Sequence, residues 1–91
     1  MEIKEAVKAA LRHVQEIFAG EKLSDVGLEE VRFDEAGQAW EVTIGFSRPW
    51  DYPAPTAFAP FAERLPKREY KVARVKDSTG SVESVLIREV K

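Results

Sequence analysis

Apolar residues recur at Ile3, Val7, Ala10, Leu11, Val14, Ile17 and Phe18. Steps of three and four place them on one face of a helix. The spacing predicts a helix over 2–19, with Lys4, Glu5, Lys8, Arg12 and Glu16 mostly on its other side. Arg12 and Glu16 lie one turn apart, where opposite charges pair. Gly20 stands where a left-handed cap would end the helix. After a connector at 21–27 the period changes to two. Val31 and Phe33 share one face of a predicted strand over about 28–34. Residues 34–38 form a turn around Gly37, since glycine tolerates the positive φ of tight reversals. The alternation is cleanest over 39–47. There Trp40, Val42, Ile44 and Phe46 point one way and Glu41, Thr43, Gly45 and Ser47 the other. The two strands make a hairpin with an apolar inner face and an acidic, solvated outer face.

The pattern then breaks. All five prolines fall at 49, 53, 55, 60 and 66, too dense for a strand or a long helix. The segment 48–66 therefore reads as a long loop, with room for one short helix after Pro60. A connection of this length inside a small domain is a packed flap or a functional loop. A third strand over 69–76 sets Tyr70 and Val72 on one side and Ala73 and Val75 on the other. Asp77-Ser78-Thr79-Gly80 is a tight turn. A fourth strand over about 82–90 alternates less well. Either a bulge near Gly80 shifts its register or both its faces are partly covered. The order is helix, hairpin, long loop, hairpin. One amphipathic helix across one face of a four-stranded antiparallel sheet gives a two-layer α+β domain.

Ninety-one residues make a single domain over 1–91. A chain that short buries only about 60–65% of its unfolded surface, so each large apolar side chain counts. With 44% apolar and 33% charged residues the composition is globular rather than disordered. There is no cysteine, which suits a reducing compartment. The start Met1-Glu2-Ile3-Lys4-Glu5 has no basic region followed by an apolar run, and no stretch reaches the length of a membrane span. The expectation is a cytoplasmic protein that does not engage a membrane. Charge is polarised: residues 1–66 hold seven Lys/Arg against twelve Asp/Glu, and residues 67–91 hold seven against four. Such an imbalance steers a partner or simply solvates a face.

The run Tyr70-Lys71-Val72-Ala73-Arg74-Val75-Lys76-Asp77-Ser78-Thr79-Gly80-Ser81-Val82 resembles the Y-x-V-x-V-D-x-x-T-G-x-V pattern of PepSY-type domains. Lys76 departs from it, standing where the first Asp often stands, with Asp77 one place later. The helix and the Trp40 hairpin resemble the accompanying cystatin-like layout. The resemblance implies an inhibitory or interaction module. The segment Val42 to Asp51, with its Gly45-Phe46-Ser47-Arg48-Pro49-Trp50-Asp51 run, also resembles a family of short bacterial proteins, which brings no activity with it.

Chemistry is sparse. His13 is the only histidine, and no ligand set clusters with it in sequence. Glu29-Glu30 and Asp34-Glu35 are carboxylate pairs. Neighbours on a strand point to opposite faces, so neither pair shares a site readily. No glycine-rich phosphate loop, nucleophile elbow or Cys/His pair occurs. The expectation is no catalytic, cofactor-binding or metal-ligating residue. The basic run Lys67, Arg68, Lys71, Arg74, Lys76 carries one aromatic, Tyr70, a thin platform for single-stranded nucleic acid. Arg48, Trp50, Asp51 and Tyr52, with Phe58 and Phe61 further on, are the residue types of binding hot spots. They are the candidate partner-binding residues. In the competing reading, Trp50 and the phenylalanines close the core while Arg48 pairs with Asp51. The leading function is a non-enzymatic module that docks a protein partner, or its own copy, through the 48–61 loop or an open sheet edge. The alternative is a small-molecule binder or minor enzyme with a helix–sheet pocket near His13, Asp51 and Tyr52.

Overall fold

The computed structural model describes residues 1–49 and 68–88. Helix α1 (Ile3–Ile17) is followed by strands β1 (Ser24–Asp34), β2 (Ala39–Ser47), β3 (Glu69–Lys76) and β4 (Val82–Ile87). The strands form one sheet in the order β1-β2-β3-β4, each antiparallel to its neighbour. This is the expected α+β arrangement of one N-terminal helix and a four-stranded antiparallel sheet.

The buried line of α1 is Ala6, Ala10 and Val14, spaced by four. Two of the three are alanines, and small side chains let the helix come close to the sheet. Val7, Leu11 and Phe18 pack beside this line. Ile3 and Ile17 fall at the helix's two ends and stay exposed, so these two members of the predicted stripe miss the core while Phe18 reaches it. The helix also stops short of residue 19. Glu2 opens it in an extended conformation, and its carbonyl accepts from the Glu5 and Ala6 amides at 3.0 and 3.1 Å. At the other end Ala19 donates to Glu16 at 3.2 Å and Glu21 to Phe18 at 2.9 Å. These tightened turns satisfy the Glu16 and Phe18 carbonyls, and the left-handed glycine cap expected at Gly20 is not used.

β2 and β3 match their predicted bounds, and register explains the core. Val42 lies opposite Val31 and Ala73, and Trp40 opposite Phe33 and Val75. Val42, Ile44, Phe46, Ala73 and Val75 meet Ala10 and Val14 in a fully buried cluster. Phe33 and Trp40 meet edge to face, with ring centroids 4.9 Å apart. β1 begins four residues earlier than the alternation suggests. Register shifts at Ser24/Gly27 and Leu28/Glu30, with Asp25 at φ 53, let a non-alternating stretch join the sheet. In the 34–38 turn the positive φ falls on Gln38 rather than Gly37. A Cβ at Gly37 would meet the Arg74 guanidinium and the Asp34 carboxylate, so a larger residue there would displace that ion pair. Gly80 does adopt φ 74 in the last hairpin turn. The irregular fourth strand resolves as a bulge: Arg74 faces Ser84 while Val75 faces Val82, so Glu83 is the extra residue. β4 ends at Ile87; the remainder of the predicted strand past Arg88 lies outside the described residues, as does most of the 48–66 loop.

Candidate functional site

β4 is the last strand of the sheet, and the pairing pattern shows what it presents outward. Arg88 donates its amide to the Tyr70 carbonyl at 2.9 Å. Ile87 stands opposite Lys71, Leu86 opposite Val72 and Ser84 opposite Arg74. Antiparallel pairs alternate between hydrogen-bonded and non-bonded. Ser84, Leu86 and Arg88 therefore bond to β3, while Val85 and Ile87 turn their N–H and C=O groups away from the sheet. Side chains alternate as well. Val85 and Ile87 lie on the helix side with Ala73 and Lys71, and Leu86 lies on the outer face with Val72. Ile87 is 77% and Leu86 62% exposed, the highest among the large apolar side chains described. Among the described residues, Ser84 to Ile87 is thus a regular, uncharged strip whose outward backbone groups have no strand beside them, with exposed apolar groups on both faces.

The opposite edge is built differently. β1 carries two register shifts and the charged residues Glu29, Glu30, Arg32 and Asp34 along its length. Bulges and charges are the usual devices that block strand pairing. The bulge at Leu28/Glu30 also overturns the expectation that Glu29 and Glu30 face apart. Glu30 sits opposite Thr43 on the outer face. The Glu29 carboxylate lies over Gly45 on that same face, about where a Gly45 Cβ would stand.

The outer face is solvated, and its exposed carboxylates are tied into a lattice of ion pairs. Arg68 reaches Glu29 at 2.7 Å and the Asp25 carbonyl at 2.9 Å. Arg32 meets Glu41 at 3.4 Å. Arg74 bridges Asp34 at 3.0 Å and Glu83 at 3.2 Å. Arg88 donates to Thr43 Oγ1 at 2.6 Å and to Glu30 at 3.2 Å, spanning three strands. Beneath these side chains Thr43, Gly45 and Ser47 are buried. The Arg74 hydrogen bond, helped by the Gly37 amide, holds the Asp34 carboxyl below its ordinary value of 3.8. A cleft of about 220 Å³ runs between Glu30, Arg32, Glu41, Thr43, Val72 and Arg88.

Of the six residues singled out from sequence, Arg48 is described; Trp50, Asp51, Tyr52, Phe58 and Phe61 lie outside the described residues. Arg48 leaves the end of β2 and turns under the helix. Its guanidinium carbon lies 4.8 Å from the Phe18 ring centroid and 5.5 Å from that of Phe46, within cation–π range. Its Nη1 is 3.5 Å from Glu21 and its Nε 3.4 Å from Glu69, with 15% of the side chain exposed. This knits the end of α1, the end of β2 and the start of β3. Glu21 and Glu69 had no signal of their own in the sequence; only a charged residue inside the sheet's apolar face hints at Glu69.

His13 is half-buried on α1. An apolar groove of about 350 Å³ opens between α1 and β1, lined by Ile3, Val7, Leu28 and Val31 with Lys4 and Lys8. Among the described residues no group of three or more His, Cys, Asp or Glu is placed to hold a metal ion. Among them, too, no helix is long and apolar enough to cross a membrane. Compared with family models, with curated proteins and with solved structures, the chain finds no match in any of the three.

Proposed function

We propose that the protein is a non-catalytic interaction module that captures its partner by strand addition at the β4 edge. The observation that carries this is the contrast between the two edges: β1 carries two register shifts and charges along its length, while Ser84–Ile87, past the single bulge at Glu83, is regular and uncharged and exposes Leu86 and Ile87 among the described residues. In strand addition the main-chain groups of Val85 and Ile87 supply the pairing, and pockets for alternate side chains supply selectivity. The reading agrees with the interaction role implied by the PepSY-type resemblance. The ion-paired state of Arg68 and Arg74 supports a protein partner over nucleic acid, since two of the five cations in the basic third-strand run are already neutralised.

The test uses the full chain as bait in an extract of its own host. Wild type, Ile87→Lys and Trp50→Ala are compared, with melting temperatures measured alongside. A partner lost with Ile87→Lys at unchanged melting temperature supports the edge. A partner held equally well by Ile87→Lys overturns it, and loss confined to Trp50→Ala moves the docking surface to the loop.

A further inference from the structure

We infer that the β4 edge pairs with the β4 edge of a second copy of this chain, joining two sheets into one of eight strands across a two-fold axis through Leu86. The inference rests on the strand-addition reading and names its partner. Because Val85 and Ile87 carry the outward backbone groups, an antiparallel partner must set outward residues opposite outward residues. Only a few registers satisfy this for two identical strands. In one, Val85 faces itself, which sets Ile87 against Glu83 and Leu86 against Ser84. In another, Ile87 faces itself, which sets Leu86 against Arg88. Between them lies the register in which Val85 faces Ile87, twice, and Leu86 faces Leu86.

That register alone matches apolar to apolar at every central position. It covers the two most exposed large apolar side chains among the described residues. It also sets Ser84 opposite Arg88, so no like charges meet there. The pairing is isologous, as a two-fold requires. Leu86 occupies a non-bonded pair, where Cα atoms approach to about 4.5 Å and side chains touch most closely. Both helices then lie on the same side of the joined sheet, since Val85 and Ile87 share the helix-side face. The charged, bulged β1 edges end up at the two outer margins, which stops the sheet from growing further.

The experiment is light scattering on the full chain at roughly 0.1–1 mM, the range in which a small interface associates. Wild type is expected to rise from the single-chain mass of 10.3 kDa toward twice that value. Leu86→Lys and Leu86→Glu each place like charges on the axis and are expected to stay monomeric. Mixed in equal amounts they are expected to dimerise again, because lysine then faces glutamate. Ile87→Lys, at a still more exposed position, is the second disrupting variant, and far-UV circular dichroism confirms the fold of each. A wild type of single-chain mass throughout overturns the inference, and so does a Leu86→Lys dimer as tight as wild type. A Lys/Glu mixture that stays monomeric overturns the register. Edge capture of a different protein survives a monomeric wild type, so the two readings fail separately.

Discussion

Arg48 is the residue whose surroundings most reward close reading. A guanidinium between two phenylalanine rings and two carboxylates is partly desolvated, and its removal leaves Glu69 in the same half-dry site without that cation. Arg48→Ala is expected to cost about 1–3 kcal/mol, the scale of losing interactions with a charged, partly desolvated group; urea unfolding measures it. Glu69→Gln in the same background should recover part of the loss. In sequence, Arg48 stood beside Trp50 and read as a loop residue, with Asp51 as its partner in the competing reading. Its described ion partners are Glu21 and Glu69, neither near it in sequence. Sequence adjacency carries no information about partners brought together by strand pairing.

Asp34 gives a pH prediction at the same scale. Its carboxyl is held low in the folded state by Arg74, so the pair's contribution is fully present above the ordinary value of 3.8. It fades as pH falls through the depressed value. Asp34→Asn should therefore remove part of the stability loss that wild type shows from about pH 5 downward, while changing little of its slope near neutrality. A urea midpoint followed against pH in both proteins checks this, and identical acid slopes would contradict it. The group is exposed, so the effect is small.

Elements show which periodicities are trustworthy. The period-two strands β2 and β3 were legible to the residue because Val42, Ile44, Phe46, Ala73 and Val75 recur at every second position and all enter the core. α1 was legible in existence but not in emphasis. The contacts that matter run through Ala6, Ala10 and Val14, while the larger Ile3 and Ile17 overhang. Ala10→Leu should then destabilise by about 1–3 kcal/mol through overpacking against the sheet. Ile17→Ala should stay within about 0.5 kcal/mol, as exposed substitutions do. Thermal or urea unfolding separates the two, and the reverse order would mean that the helix sits on a different face. The bulges were partly legible. Weak alternation in β4 announced the one at Glu83. Those in β1 left no mark, because bulging swaps Glu29 onto the face of Glu30 without changing composition.

For the whole molecule, the sheet order turns a local pattern into a surface. Leu86-Ile87 is an unremarkable apolar dipeptide in sequence. It becomes a candidate docking strip only because β4 falls at the margin and β1, at the other margin, is charged and bulged. An open edge was foreseen for any four-stranded sheet, but which edge is open depends on strand order and register, and neither is written in the period of one strand. The ion-paired outer face has the same origin: Arg88 joins Thr43 and Glu30 from far along the chain.

Residue-resolved amide hydrogen exchange tests the docking strip most directly. The Leu86 amide, bonded to β3, should be protected at every concentration. The Val85 and Ile87 amides should exchange rapidly in dilute protein and slow by at least about tenfold once the edge is occupied. Val85 and Ile87 amides that exchange equally fast in dilute and concentrated protein, or that are already protected in the monomer, would contradict an open edge that pairs.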